Sequence, residues 1–359
     1  MKIIRLLFFL HFYCLFSQEQ HPISTAFPFL LISTDAVGSG KGDLGVASKP
    51  DVFSQYWNAA KYVFAQEESS VGMGYTPYLN KVVRDIFLGN LSYYKKINRG
   101  AWAGSFRYFS IGEVTLTQSF GNEAYVLGNF RPSEFAFDVS YSLKLNESFA
   151  MGVATRFLNS NLRLPTDDNI TARGLAFDIS GYYHSKEHLI GNYFGKYTLG
   201  FQISNIGSKV KYEDLGKTFF IPTNLKAGAG YLVSVDSYNT FNFLLEFNKL
   251  LVPTSSQNSE NIDFLQGILK SFSDAPNGVS EEFQEISWAL GGEYAYNESL
   301  FLRAGYFNQY KNKGDRKYLT VGSGFKVKAW QLDFSYLFST ARTHNPLSSS
   351  LRIALQYTL

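Results

Sequence analysis

Beyond residue 16 the chain has no run of 18 apolar residues, and beyond residue 14 it has no cysteine. The first absence excludes membrane-spanning helices, which need about 20 consecutive apolar residues. The second excludes disulfides and thiol catalysis downstream of Cys14, and leaves a zinc site only histidine and carboxylates to draw on. Histidine is itself scarce, with five in 359 residues. An excess of either charge is also missing. Lys and Arg number 33 against 30 Asp and Glu, a net of +3. Without Lys2 and Arg5 the balance is +1. No basic stripe or charge block appears, so nothing points to nucleic acid.

The first residues have the three parts of a secretory signal peptide. Lys2 and Arg5 are positive, 3–16 is a nearly continuous apolar core, and Ser17 is a small residue before Gln18. A core of about 14 residues is short for a bilayer span, so cleavage after Ser17 is expected and 1–17 reads as a leader. Cys14 does not make a lipoprotein site, because that cleavage needs a small residue before the cysteine and Tyr13 is bulky.

What remains is rich in aromatics and glycine, with 33 Phe, 24 Tyr and 30 Gly in the whole chain. An exported chain without a membrane helix can still cross a membrane as a closed β-barrel. Such a barrel needs segments of about ten residues that alternate apolar with small or polar side chains. In "EFAFDVSYSLKL", Phe135, Phe137, Val139, Tyr141, Leu143 and Leu145 share one face, and Ala136, Asp138, Ser140, Ser142 and Lys144 the other. "FAMGVATRF", "GLAFDISGYY" and "QLDFSYLF" repeat the pattern. About fourteen strands are expected, starting near Val71, Asp85, Ala101, Glu134, Phe149, Ala172, Phe194, Thr223, Thr240, Glu285, Leu300, Lys317, Trp330 and Ser349.

The connections alternate as well. Short turns follow even-numbered strands, and long loops follow odd ones, chiefly near 113–133, 158–171, 206–222 and 250–284. This is the parity of a barrel whose chain starts in the periplasm. The end, "SLRIALQYTL", alternates Leu351, Ile353, Leu355, Tyr357 and Leu359 with Arg352, Ala354, Gln356 and Thr358. Outer-membrane barrels commonly close on such a strand, although its last residue is usually aromatic. The fold class is therefore all-β, a transmembrane antiparallel barrel over 69–359 with long extracellular loops. Residues 18–68 precede it as a plug-like segment.

Four stretches invite a chemical reading. "GSGK" at 38–41 resembles the end of a phosphate loop. However, Gly42 stands where magnesium would need a hydroxyl, and Asp35 where the motif opens on glycine. "HSKEH" at 184–188 fits a zinc-peptidase pattern that works only on a helix, whereas here it falls in a predicted turn. Asp138, Asp178, Arg156 and Arg303 point inward and read as a charge network filling the lumen rather than a catalytic pair. No enzyme and no cofactor are expected. The loop at 253–285 differs from the others. "NSENIDFLQGILKSF" reads as a short amphipathic helix in which Ile262, Leu265, Ile268, Leu269 and Phe272 recur near helical spacing, with Phe264 beside them. That stripe is either a docking surface for a partner or packing against the barrel's own rim.

The segment before the barrel, with Gly38, Gly40, Gly42, Trp57 and Asn58, resembles the N-terminal region of FadL-like outer-membrane proteins. In that family a Gly/Ala-rich stretch and an Asn-Pro-Ala motif form a plug or hatch in the barrel mouth. Here the match is Trp57, Asn58, Ala59 and Ala60, with Ala59 in place of proline. A closer resemblance rests on "HPISTAFPFLLISTDAVGSGKGDLGVAS", "SQYWNAAKY", "GYTPYL" and "RYFSIGEVTLT". Together they look like the PorV (LptO) family of the type IX secretion system, a group within the FadL-like barrels.

That resemblance implies an integral outer-membrane protein that binds the C-terminal signal domain of secreted cargo at the SprA (Sov) translocon. It would carry cargo to the PorU sortase and attachment complex, which joins cargo to lipopolysaccharide. The alternatives are a FadL-like transporter of hydrophobic small molecules and a barrel that merely seals another channel. The 38–62 stretch then reads as a plug entering from the periplasm or a segment that seats the barrel, its glycines permitting tight turns in a narrow lumen.

Overall fold

The structure is a computed structural model that describes residues 23–80, 82–120, 123–162, 170–214, 216–254, 262–341 and 345–359. The leader, and the start of the expected helix at 258–261, lie outside the described residues.

The strands are β1 (Ser69–Pro77), β2 (Phe87–Ile97), β3 (Gly100–Ser110), β4 (Val114–Phe120), β5 (Glu123–Phe130), β6 (Ser133–Lys144), β7 (Phe149–Asn161), β8 (Ala172–His184), β9 (His188–Ile190) and β10 (Tyr193–Gly207). They continue as β11 (Val210–Lys211), β12 (Thr218–Phe219), β13 (Asn224–Ser234), β14 (Asn239–Leu250), β15 (Ile286–Tyr296), β16 (Leu300–Asn308), β17 (Lys317–Val327), β18 (Trp330–Ser339) and β19 (Leu351–Thr358). All but β4, β5, β9, β11 and β12 join one ring of fourteen antiparallel strands, closed where β19 pairs with β1. Closure satisfies the backbone of every ring strand on both sides, as a span through hydrocarbon requires. The final residue takes part, since Leu359 N donates to Ser69 O at 3.1 Å.

The ring strands match the fourteen expected from alternation, each starting within two residues of its expected position. On β8, Leu175, Phe177 and Ile179 are exposed to the outside while Asp178 and Ser180 are buried within. One end of the barrel carries short turns, such as 98–99, 145–148 and 297–299. The other carries the long loops. Aromatic pairs stand at the short-turn end, with Trp102 against Tyr141 at 4.8 Å and Trp330 against Tyr357 at 4.5 Å. These are girdle positions for amphipathic rings.

Alternation could not foresee what the long loops contain. The 111–132 connection rises into a hairpin of its own, β4 with β5, and 208–223 holds the small pair β11–β12. These strands pair only with each other, outside the ring.

Candidate functional site

Residues 23–65 fill the lumen. They run from the long-loop end to the short-turn end, where β1 begins. Ala26 N donates to Phe220 O at the long-loop end, and Phe27, Phe29 and Leu30 pack there with Leu88, Phe109, Leu158 and Ile221. Val52, Phe53 and Tyr62 pack near the other end with Tyr94 and Ala101. This differs from entry at the periplasmic mouth. The apolar side chains of 26–30 find their core under the loops, so the described segment starts there and descends.

Trp57 organises the segment. Its indole lies against Gly38 and Gly45, where a Cβ would come within 2.7 Å and 2.5 Å of the ring. Its Nε1 donates to Asp35 at 2.8 Å. The Asp35 carboxylate also accepts from the amides of Val37 (2.7 Å) and Gly38 (2.8 Å), capping the turn Ala36–Ser39. A phosphate at "GSGK" would need such amides, and Asp35 already holds them. Asn58 bolts the segment to the wall. Its Nδ2 donates to Val46 O and to Gly181 O of β8, both at 2.9 Å, and its Oδ1 accepts from Ala60 N at 3.0 Å. Ala59 opens the 3-10 turn Ala59–Phe64 directly after an extended Asn58 (φ −172°, ψ 100°), a place where proline and alanine both fit.

The barrel wall is cut to receive this backbone. A Cβ on Gly291 or Gly305 would lie 2.0 Å from the Lys41 main chain. Gly40 lies against Gly322, and Gly42 turns at φ +94° beside Tyr306. Glu246 of β14 accepts from Gly45 N and Val46 N, both at 2.8 Å. Arg352 of β19 pairs with Asp43 at 2.5 Å, and Tyr318 donates to the same carboxylate at 2.7 Å. All five residues expected in a plug (Gly38, Gly40, Gly42, Trp57 and Asn58) are thus buried in the lumen. Sequence reasoning missed Asp35, Asp43 and Glu246. Only Asp35 left a local trace, as a capping residue before a short helical run.

The inward charges form two networks. Arg156 donates to Asp138 at 2.5 Å, to Asp178 at 3.0 Å and to Asn205, and Ser105 donates to Asp138 at 2.8 Å. Arg303 donates to Glu293 at 2.6 Å and to Asp333 at 2.7 Å. All six charged residues are buried. Arg156→Met should cost about 3–5 kcal/mol, because it strands two buried carboxylates. Adding Asp178→Asn to it should recover part of that loss, while Asp138 is kept because buried Arg107 lies 3.7 Å from it. Urea unfolding of the three proteins in detergent, followed by tryptophan fluorescence, checks this. Equal losses in single and double variants would sink the network reading.

Two larger cavities lie in the lumen among the described residues, on either side of the filling segment. The outer, about 120 Å³, includes Tyr56, Trp57, Lys226, Phe307 and Arg316. The inner, about 140 Å³, includes Lys49, Glu67, Tyr94, Arg303 and Lys326. They share no lining residue.

The loop between β14 and β15 holds two helices, Phe264–Lys270 and Val279–Gln284. Gly267 is buried against Phe220 and Pro253, which turns one helix side to the rim. Of the six expected partner-binding residues, Leu265 (55% exposed), Leu269 (74%) and Phe272 (50%) face solvent. Ile262, Phe264 and Ile268 are half-buried. The stripe is therefore divided, with one face packed toward the rim and the other left open to solvent. The second helix adds Val279 and Phe283, 72% and 70% exposed, which periodicity over 258–272 could not reach.

Charge fixes the loop in place. Lys249 pairs with Glu285 at 2.6 Å and Glu282 at 3.0 Å; Lys313 pairs with Glu281 at 2.6 Å and Glu285 at 2.9 Å. Asp274, Glu282 and Glu285 converge as metal ligands could, but these ammonium groups already supply the counter-charge. Burial, then repulsion from Glu285 and Glu282, pushes the Asp274 carboxyl up. Burial pushes Glu281 up too, but bonds from Lys313 and Asn277 outweigh it and hold the carboxyl below its ordinary 4.5.

Burial opposes the charge on Lys313, yet Glu281 and Glu285 raise its pKa above the ordinary 10.5. A depressed carboxylate stabilises above its unfolded pKa and stops doing so as pH falls through the folded one; a raised lysine stabilises until pH climbs past its own. Intrinsic-rate-corrected hydrogen-exchange protection across 277–285 should therefore stay level from roughly pH 6 to 9 and fall below about pH 4.5. A Glu281→Gln variant should lack the acid step.

"HSKEH" spans the end of β8 and the start of β9. His184 packs edge-on against Phe64, and His188 lies 3.2 Å from the Tyr231 hydroxyl. The two histidines are not on a helix.

A family model described as "Type IX secretion system protein PorV" matches residues 16–257. No curated protein matches the chain. Among solved structures, the Ralstonia pickettii toluene transporter TbuX superposes with TM-score 0.52 at 13% identity, covering 92% of this chain and 100% of that one. The P. putida toluene transporter TodX gives 0.53 at 13% identity, covering 91% and 98%. A TodX monoaromatic hydrocarbon channel with an S2 deletion gives 0.54 at 11% identity, covering 90% and 97%. At such identities the likeness is one of fold.

Proposed function

The chain belongs to the PorV family of type IX secretion system proteins, and from this we propose that it is the outer-membrane component that receives cargo at the translocon. It binds the C-terminal signal domain of cargo leaving the SprA-type barrel and delivers it to the PorU-type sortase and attachment complex. The protein carries out no covalent step itself. The leader at 1–17 is removed on export, and 18–68 stays as the plug.

The observation that carries this reading is the 251–285 loop. It is pinned by four ion pairs, yet it turns Leu265, Leu269, Phe272, Val279 and Phe283 to solvent. Large apolar side chains held rigidly in water are costly unless a partner covers them. The filled lumen fits the same reading, because a shuttle needs a closed barrel with an apolar outer rim.

The second reading, transport of hydrophobic small molecules, draws on the TbuX and TodX fold. It needs a continuous apolar path, and the two lumenal cavities are separate and bear charged residues.

An affinity pull-down of the tagged native protein from detergent-solubilised outer membrane, read by mass spectrometry, separates the two. Recovery of a very large barrel, a sortase and cargo with its C-terminal domain supports the shuttle. Recovery of this barrel alone, carrying an apolar molecule, supports transport instead.

A further inference from the structure

Arg107 of β3 is 2% exposed, yet its Nε and Nη1 find no acceptor among the described residues. Among the described residues the carboxylate it pairs with is Asp138, at 3.7 Å from Nη2, and that group is already bonded by Arg156 and Ser105. A buried guanidinium with unmade hydrogen bonds is strongly disfavoured unless something accepts from it.

Beside it lies a cavity of about 10 Å³, lined by Arg107, Arg156 and Lys226 together with Tyr56, Ser204 and Asn224. No carboxylate is among the lining residues. Arg156 is used up by Asp138, Asp178 and Asn205. Lys226 holds its ammonium over Tyr56 at 4.4 Å and Trp57 at 4.6 Å. Glu246, on the next strand, turns one oxygen to the amides of Gly45 and Val46. Three cations thus face a space for about one small particle, with donors to spare and no negative charge in its wall. Tyr56, Asn224 and Lys226 also line the outer cavity, which gives a way in from the loop side.

We propose that this cavity binds a single small monovalent anion of halide size between Arg107 and Lys226, beneath Tyr56. The anion accepts from Arg107 Nε and Nη1 and balances the cationic wall. It thereby steadies the Tyr56–Trp57 corner of the lumenal segment. The inference concerns the barrel's own chemistry and stands whether or not the protein carries cargo.

The test uses crystals of the full barrel grown in gluconate and soaked in bromide at tens of millimolar, with anomalous data at the bromine edge. The expected result is a peak within hydrogen-bond reach of Arg107 Nε, reduced at least threefold in Lys226→Gln and displaced by chloride. Thermal unfolding in detergent should also rise by a few degrees when gluconate is replaced by chloride, and Arg107→Gln should abolish that shift. If Arg107→Gln fails to fold, the Lys226→Gln peak decides. Non-anomalous density of a water overturns the proposal, as does a peak equal in Lys226→Gln. So does one seen only at molar bromide, an adventitious ion only.

Discussion

Trp57→Ala should open the barrel. The variant should pass ions in a planar bilayer where the native protein does not, and its lumenal amides should lose exchange protection. The indole fills the space between Gly38 and Gly45, with Tyr56 edge-on at 4.7 Å. Removing a buried indole costs about 3–5 kcal/mol. Asp35 also loses its donor at 2.8 Å, so the cap on Val37 and Gly38 rests on a carboxylate that has lost one of its bonds. The wall does not depend on Trp57, since all fourteen strands pair around the ring without it. The damage should therefore stay in the segment, and heat-dependent gel mobility should still report a folded barrel. Trp57→Phe keeps most of the packing and drops only the hydrogen bond, so it should lose about 1–3 kcal/mol and conduct far less. A silent Trp57→Ala channel with native protection would mean that the wall ties at Asn58, Asp43 and Glu246 hold the segment alone.

The second large effect is expected at the rim. Replacing Leu265, Leu269 and Phe283 together with glutamate should reduce translocon and cargo recovered in the pull-down by tenfold or more. Residues that dominate an interface are worth about 2 kcal/mol or more each. All three side chains are more than half exposed, so unfolding in urea should move by no more than about 0.5 kcal/mol for each change. Loss of recovery with native stability places the contact on this loop. Native recovery would move it elsewhere on the rim, with the β4–β5 hairpin next, where Val126 and Leu127 are exposed. Lys249→Met tests the anchoring separately. It removes the pairs to Glu282 and Glu285, and the ammonium 5.9 Å from the Phe272 ring, while leaving Leu265, Leu269 and Phe283 in place, and should weaken recovery through a loosened loop.

The sequence by itself determined the barrel. Alternation has a period of two, and a one-residue slip would turn Asp138, Arg156 and Asp178 into lipid. Strand positions, inward faces and loop parity were therefore all legible. So was the family, through the runs around "SQYWNAAKY" and "RYFSIGEVTLT". Contacts between residues far apart in the chain were not legible, because no periodicity encodes them.

Only the tertiary structure showed that Glu246 clamps the amides at 45 and 46, and that Asp43 meets Arg352 across 309 positions. Only it showed Val279 and Phe283 exposed on the same loop as Leu265 and Leu269. The direction of the lumenal segment was likewise a packing decision. Phe27 and Phe29 could bury themselves only beneath the long loops, against Phe109 and Ile221. The cationic cavity is the extreme case. Arg107, Arg156 and Lys226 lie on three different strands, none of which by itself points to the other two. It is the closing of the ring that turns them toward one space.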